Sequence, residues 1–341
     1  MGVYIFAQSS YPVLQVMKKI LLLSLLLGSV LGAMAQSVDV KTYTYTHRGD
    51  EPLYLDVYSV SEDVEPCLLY VFGGAFVTGC RDEKGVVEVY EYFARRGWKV
   101  VSIDYRLGLK PLIDEPEVKR GLLEFRSMLI DAIDIAAEDL LEATAYLVSN
   151  AKTLGINPDQ IVTLGASAGA ITALQAEWAI CSEQSIAAVL PADFNYAGVI
   201  SMAGAICAKA RNLDWKRTPC PMLLFHGNAD RNVPYGKQSL LGMSLFGSSA
   251  IAESLKDVGS PYWFYTAVNM DHNFSWRPMY FLRPEIERFA EKMAFGGERL
   301  LIDQVVVDAS LPEAETKFGM KDYIEANFNP NQPRGADAVV Y

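Results

Sequence analysis

The sequence has 341 residues, of which 51% are hydrophobic and 21% charged, enough apolar material for one large α/β domain. Its formal net charge of −11 argues against partners that are themselves negatively charged, such as nucleic acid and anionic lipid. No run rich in lysine or arginine offsets this charge. We therefore expect a globular protein that binds no nucleic acid and does not insert stably into membranes, with its oligomeric state left open.

Residues 1–35 are predicted to be a targeting segment and not part of the fold. Two lysines precede an apolar run of 12 residues, Ile20–Leu31, and an Ala-Met-Ala tripeptide that ends at Ala35 follows it. This order is typical of a secretory signal peptide. A membrane anchor is the alternative, although a bilayer span takes about 20 apolar residues. We expect translation to start at Met17, with a longer leader as the alternative, and the protein to be secreted or periplasmic.

The next segments, Lys41–Thr46 and Leu53–Tyr58, alternate in polarity and predict a pair of antiparallel strands. After them, continuous apolar runs recur between stretches of helical periodicity, which is typical of a parallel sheet that helices cover on both faces. The predicted strands are Cys67–Phe72, Lys99–Ile103, Ile161–Leu164, Val199–Met202, Met222–Phe225 and Tyr262–Val268, and the predicted helices are Val86–Arg96, Asp131–Asn150, Ala168–Ile180, one within Tyr235–Val258, and Pro284–Phe295.

These elements predict one α/β domain over residues 36–297. The long segment between Leu107 and Ala132 is expected to form a small helical cover at the carboxyl edge of the sheet. Residues 298–341 are predicted to be a C-terminal extension that either packs on the domain or frays. A dinucleotide-binding unit is excluded, because the early glycine turn, Phe-Gly-Gly-Ala-Phe, does not have the Gly-x-Gly-x-x-Gly spacing.

Ser167 stands between two glycines at a predicted junction of strand and helix, in the order Gly-Ala-Ser-Ala-Gly. In that context the pentapeptide is typical of a nucleophile elbow, a strained turn that presents the hydroxyl group. The helix that follows would direct its first N–H groups at a developing oxyanion. The pentapeptide alone also fits an ordinary tight turn, so its interpretation depends on other residues.

A serine nucleophile needs a base, and the base needs a carboxylate to orient it. His272 follows the last predicted strand and Asp230 follows the strand before it, so both can reach the edge of the sheet where Ser167 lies. Of the other two histidines, His47 belongs to the early strands. His226 ends a strand and is interpreted as structural, with a role as the base kept as the alternative.

The loop Phe72–Phe76 follows the third predicted strand, where a second oxyanion donor is needed. Its glycines, Gly73 and Gly74, would let the backbone approach a substrate and turn an N–H group inward, although an ordinary turn is the alternative. The five cysteines and three histidines show no spacing typical of metal ligands. We therefore expect no metal site and no cofactor.

Five motifs together resemble the α/β-hydrolase-fold carboxylesterases of the hormone-sensitive-lipase and bacterial feruloyl-esterase type. They read FGGAF, DYRL, GASAG, HGNADRNVP and DHNF, and they extend from Phe72 to Phe274. The resemblance implies an α/β-hydrolase fold, with a mostly parallel central sheet flanked by helices. It also implies that Ser167 is the nucleophile, His272 the base and Asp230 the residue that orients the base.

The resemblance further implies an oxyanion hole formed by the N–H groups of Ala168 and of Gly74 or Ala75, on the loop that Gly73 begins. The family usually starts this loop with His, which mainly braces the loop, whereas this chain has Phe72. The resemblance therefore does not imply how the loop is braced in this chain. The segment Asp104–Leu107 resembles one that braces the fold. Aromatic residues next to the motifs are candidates to line the substrate pocket, with ordinary packing as the alternative: Phe76, Tyr105, Phe274 and Trp276.

The function that the resemblance implies is hydrolysis of carboxylic esters through an acyl-enzyme, with a small-molecule or carbohydrate ester as the substrate. For a secreted protein, we expect acetyl or feruloyl groups on extracellular carbohydrate. The alternatives are a serine peptidase of the same fold and a non-catalytic binding protein on the same scaffold.

Overall fold

The computed structural model describes residues 37–319 except residues 116, 117, 119, 120 and 241, so the predicted signal peptide lies outside the described part. The strands of this part, numbered in chain order, are β1 (Asp39–Arg48), β2 (Glu51–Ser59), β3 (Glu65–Val71), β4 (Lys99–Ile103), β5 (Ile156–Ala166), β6 (Gly198–Met202), β7 (Ala205–Ala208), β8 (Met222–Gly227), β9 (Lys237–Leu240), β10 (Met243–Gly247), β11 (Tyr262–Val268) and β12 (Leu301–Val307).

Nine of these strands form one sheet in the order β1-β2-β4-β3-β5-β6-β8-β11-β12. Strand β2 pairs antiparallel with both β1 and β4, and every other neighbouring pair is parallel. The mostly parallel sheet confirms the predicted fold class. Because parallel strands end at the same edge, the loops after β3, β5, β8 and β11 meet at one edge of the sheet.

The helices that cover the sheet include α5, which follows β5 and is buried at every residue except Trp178. A helix buried all round lies inside the protein and holds its first turn rigidly. The helices are α1 (Lys84–Ala94), α2 (Pro111–Asp114), α3 (Leu122–Ser149), α4 (Ala151–Leu154), α5 (Ala168–Cys181), α6 (Ser248–Asp257), α7 (Pro278–Phe281) and α8 (Arg283–Phe289), with 3-10 turns at Ser185–Val189 and His272–Ser275 and a π-helical segment at Ala290–Phe295.

Helix α3 begins at Leu122, nine residues before the predicted start at Asp131. Phe125, Leu129 and Ile133 recur at helical spacing and are buried, so the helix continues through the segment that we expected to be a separate cover. The expected cover therefore consists of the short helix α2 and the first turns of α3.

A second, three-stranded sheet with the order β7-β10-β9 was not predicted. Its hairpin, β9–β10, precedes α6 inside the range for which only a helix was expected. Short apolar runs such as Met243–Gly247 cannot be assigned by periodicity, which explains the omission. Helix α5 holds this sheet, because the Gln175 amide accepts from the Cys207 N–H at 2.9 Å and donates to the Cys207 carbonyl at 3.1 Å.

Strand β12 comes from the predicted C-terminal extension and pairs in parallel with β11. The Tyr262 hydroxyl donates to Asp303 at 3.1 Å, and the Trp263 indole donates to Gln304 at 2.9 Å. The predicted boundary at residue 297 therefore falls just before a strand of the same sheet. Over the described residues, no helix is both long enough and apolar enough to cross a membrane.

Candidate active site

Ser167 occupies the sharp turn between β5 and α5. Its backbone has φ 53° and ψ −118°, a conformation that costs a residue with a side chain about 1–3 kcal/mol. Hydrogen bonds on both sides hold this strained turn, because the Ser167 N–H donates to the Met202 carbonyl and the Ser167 carbonyl accepts from Ile171, each at 2.9 Å. The turn raises the Ser167 side chain above the edge of the sheet.

The two glycines of the pentapeptide are required by close packing of the backbone. A Cβ atom on Gly165 would lie 2.3 Å from the Gly169 carbonyl oxygen, and one on Gly169 would lie 2.0 Å from the Val71 carbonyl oxygen. Real Cβ atoms do not approach backbone this closely. The glycines thus bring the first turn of α5 against strands β3 and β5.

The structure brings Ser167, His272 and Asp230 into one hydrogen-bonded chain. His272 Nε2 lies 2.8 Å from Ser167 Oγ, and His272 Nδ1 lies 2.7 Å from Asp230 Oδ2. Asp230 is buried, whereas the His272 side chain is 20% exposed. The neighbouring Asp271 points elsewhere, since its carboxylate accepts from the Asn273 N–H at 3.0 Å.

The loops that carry Asp230 and His272 are joined to each other through their backbones. The Ala229 N–H donates to the Met270 carbonyl at 3.0 Å, and the Asn269 N–H donates to the Asn228 side chain at 2.7 Å. These bonds fix the distance between the carboxylate and the imidazole independently of the contact between the two side chains.

Asp230 is held in its ionised form. Its Oδ1 accepts from the N–H groups of Asn232 and Val233 at 2.8 and 2.9 Å. Burial by itself would raise the pKa of Asp230, but the imidazoles of His272 and His226 and the hydrogen bonds outweigh burial and lower the pKa below its ordinary value. An ionised carboxylate on Nδ1 favours the His272 tautomer whose Nε2 can accept the serine proton.

The other two histidines are placed differently. His47 pairs with Pro52 in the antiparallel strands at the start of the sheet. His226 is fully buried and lies 3.3 Å from Asp230 Oδ2, so it contacts the carboxylate and not Ser167. Sequence reasoning interpreted His226 as structural and missed this contact. Its position at the end of the strand that leads to Asp230 was the available signal.

The loop after β3 has the strained backbone expected of a backbone-donor site. Gly74, Ala75 and Phe76 have φ values of 115°, 54° and 59°. A Cβ on Gly73 would lie 3.4 Å from Ser167 Cβ, which places this loop against the serine. Among the hydrogen bonds of the described residues, the N–H groups of Gly74, Ala75 and Ala168 have no protein acceptor, so they are available to a bound oxyanion.

Phe72, the first residue of the glycine loop, is braced by Tyr105. The two rings stack with centroids 4.4 Å apart, and the Tyr105 hydroxyl donates to the Phe72 carbonyl at 2.8 Å. The next residue, Arg106, binds the buried Asp139 of α3 at 2.8 Å. The segment that resembles a bracing motif therefore holds the glycine loop.

The predicted substrate-contacting aromatics are mostly packing residues. Phe76 has no exposed surface and meets the Tyr105 ring edge-on at 6.4 Å. Phe274 is 7% exposed and stacks on Tyr265 at 5.8 Å. Both rings therefore belong to the hydrophobic core. Tyr105 is buried as well, and Trp276 alone among the four predicted aromatics is partly exposed.

Within the described residues, no group of three or more histidine, cysteine, aspartate or glutamate side chains is arranged to hold a metal ion.

No protein-family model matches the chain. A segment of the chain is 27% identical over 130 residues to fumonisin B1 esterase of Sphingopyxis macrogoltabida, which is 36% of this chain and 22% of that esterase. The match therefore spans less than a quarter of the length of that relative.

Solved structures of esterase 2 from the planctomycete Thermogutta terrifontis are similar to this chain. The native form has a TM-score of 0.51 and 20% identity over 76% of this chain and 95% of that one. The butyrate-bound form has a TM-score of 0.52 and 19% identity over 75% and 96% of the two chains. The form phosphorylated by paraoxon has the same TM-score and identity over 75% and 95%. With the nine-stranded sheet, this likeness shows that the chain has the α/β-hydrolase fold.

Proposed function

We propose that the protein is a serine carboxylesterase in which Ser167, His272 and Asp230 form the catalytic triad. The observation that carries this proposal is the hydrogen-bonded chain, with 2.8 Å from Ser167 Oγ to His272 Nε2 and 2.7 Å from His272 Nδ1 to Asp230. A nucleophile, a base and an orienting carboxylate in this geometry are what acyl transfer needs. The esterases named above support ester hydrolysis as the reaction.

In the first half of the proposed reaction, His272 takes the Ser167 proton as Oγ attacks the ester carbonyl carbon. The resulting oxyanion is stabilised by the N–H of Ala168, at the start of α5, and by the N–H groups of Gly74 and Ala75. His272 then gives its proton to the departing alcohol, which leaves an acyl group on Ser167. In the second half, water takes the place of the alcohol, and the acid is released.

The first test is Ser167→Ala. We expect the kcat for a p-nitrophenyl ester to fall by about 10⁴–10⁶-fold, because triad residues act as a unit. Ser182→Ala, at the other end of α5, is the matched control and should keep full activity. Undiminished hydrolysis by the Ser167 variant would reject the proposal.

We further propose that the acyl group is acetyl, carried on extracellular carbohydrate, with the larger feruloyl group as the alternative. A propionate-bound and a butyrate-bound form of the Thermogutta esterase support a short acyl chain. The test compares p-nitrophenyl esters of increasing acyl length with acetylated xylan and a feruloylated oligosaccharide. The highest kcat/KM should be on the acetyl ester, and a preference for long acyl chains would contradict this.

Two further assays distinguish the two alternatives. A serine peptidase would hydrolyse a peptide p-nitroanilide at a measurable rate, whereas the proposed esterase should hydrolyse the esters and leave the anilide intact. A non-catalytic binding protein would remain unlabelled by paraoxon while folded, whereas the proposed esterase should be labelled at Ser167, as mass spectrometry would show.

We also propose that the chain is exported and cleaved after Ala35. Its support is the order of basic, apolar and Ala-Met-Ala segments in the first 35 residues. N-terminal sequencing of the protein from the periplasm or the medium should begin at Gln36, and recovery of an uncleaved protein from the cytoplasm would contradict export.

A further inference from the structure

His226 has no part in the reaction steps above, yet it contacts the carboxylate of the proposed triad. It is fully buried at the end of β8, where it pairs with Thr266 of β11. Its Nδ1 lies 2.8 Å from Ser248 Oγ, at the start of α6. Its Nε2 lies 3.3 Å from Asp230 Oδ2 and 3.3 Å from the Val233 carbonyl oxygen.

These contacts determine which nitrogen of His226 carries a proton. Both groups that face Nε2 are oxygens that can only accept, namely an ionised carboxylate and a backbone carbonyl. A bare nitrogen lone pair between them would be repelled by both, so Nε2 carries the hydrogen. Nδ1 faces a hydroxyl group, and Ser248 can donate to it. A chain of donors thus runs from Ser248 through His226 to Asp230.

The Nε2–H group of His226 adds a further hydrogen-bond donor to the Asp230 carboxylate. Oδ1 accepts from two backbone N–H groups, and Oδ2 is shared by His272 Nδ1 and His226 Nε2. With both oxygens held, the carboxylate cannot rotate away from His272. The His226 ring is itself fixed, because the Tyr235 ring meets it edge-on at 5.6 Å.

We propose that His226 is a positioning residue, whose Nε2–H fixes the Asp230 carboxylate and, through it, sets the orientation and basicity of His272. The role in catalysis rests on the proposed triad. His272 and His226 are titratable side chains that act on Asp230, and the hydroxyl of the nearby Tyr235 is turned to Thr266 at 2.7 Å.

His226→Leu removes the donor, and His226→Gln replaces it with an amide N–H at a similar reach. In the leucine variant we expect kcat for p-nitrophenyl acetate to fall by about 10–100-fold with KM unchanged. Losses of this size are typical when a hydrogen-bond partner that orients a functional side chain is removed. The acid limb of kcat/KM should move to higher pH, because a less neutralised Asp230 holds a proton on His272 more strongly. The glutamine variant should recover most of the kcat and the original acid limb.

Wild-type kcat and an unchanged acid limb in the leucine variant would overturn the proposal. So would equal losses in both variants with an unshifted pH profile, because such losses indicate a purely structural role. If the leucine variant does not fold, the proposal is tested with the glutamine variant and with the nitrogen chemical shifts of His226 in the wild-type protein. The nitrogen chemical shifts of His226 should show hydrogen on Nε2, and a neutral ring with hydrogen on Nδ1 would overturn the proposal.

A second readout separates this proposal from the proposed function. The His272 Nδ1–H bonded to Asp230 should give a downfield proton NMR signal, which can be assigned because the chain has only three histidines. The signal should shift or broaden in the leucine variant and persist in the glutamine variant. If the wild type hydrolyses no ester, the proposed function fails, and this signal still tests the contact with His226. A signal unaffected by His226→Leu would overturn the positioning role.

Discussion

Gly165 marks a point at which the turn before Ser167 has no room for a methyl group. A Cβ there would lie 2.3 Å from the Gly169 carbonyl oxygen and 2.6 Å from the Ala170 nitrogen. Both are backbone atoms of α5, so the helix would have to move. We expect Gly165→Ala to lower the free energy of unfolding by about 1–3 kcal/mol, measured by urea denaturation, and to lower kcat because Ser167 is displaced.

Gly236 is the matched control for this substitution. A Cβ there would meet Ser249 Oγ at 3.6 Å, an ordinary contact. Gly236→Ala should change the free energy of unfolding by no more than about 0.5 kcal/mol. Equal losses in the two variants would show that the crowding at Gly165 is not the cause.

At this scale, the sequence was sufficient to locate the side chains that the structure brings together. Ser167, Asp230 and His272 each follow a strand that ends at the same edge, so their proximity follows from topology alone. Phe76 and Phe274 could not be placed in this way. Adjacency to a motif does not determine the direction of a side chain, and both rings turn into the core.

Strand β12 protects the edge of β11, a strand that contains four buried aromatic residues, Tyr262–Tyr265. Truncation of the chain after Gly297 would remove β12 together with the partners of Tyr262 and Trp263. We expect a lower Tm and a greater tendency to aggregate, because an unpaired, aromatic strand edge pairs with other chains.

The control is Val305→Thr, because Val305 is 64% exposed and the substitution keeps the strand. This variant should have the Tm and soluble yield of the wild type. A truncated protein that matched it in both measurements would show that β12 does not stabilise the sheet.

The elements differ in how well the sequence predicted them. Strands β4 and β11 have the predicted bounds, since each is a continuous apolar run with clear ends. The start of α3 was misplaced because its first turns contain exposed leucines, Leu122 and Leu123, which obscure the buried face. The β9–β10 hairpin was missed because strands of four and five residues have no measurable period.

For the molecule as a whole, the net charge of −11 predicts that anionic esters are poorer substrates than neutral ones. A strongly negative protein repels anionic esters, and salt screens this repulsion with a Debye length of about 10 Å at 0.1 M ionic strength. We expect kcat/KM for acetylated pectin, which is anionic, to rise with added salt.

Acetylated xylan without acidic side groups is the neutral control, and its kcat/KM should be insensitive to salt over the same range. If kcat/KM changes with salt in the same way for both polymers, the overall charge does not act at the site.

The separation of Ser167 from His272 along the chain, 105 residues, also orders events in time. A ribosome adds about 5–20 residues per second, so roughly 5–20 s pass between synthesis of the serine and of its base. Throughout that interval the nascent chain carries a serine with no partner to accept its proton. The proposed esterase activity can begin only after β11 has joined the sheet, so an unfinished chain of this protein has a nucleophile without its base.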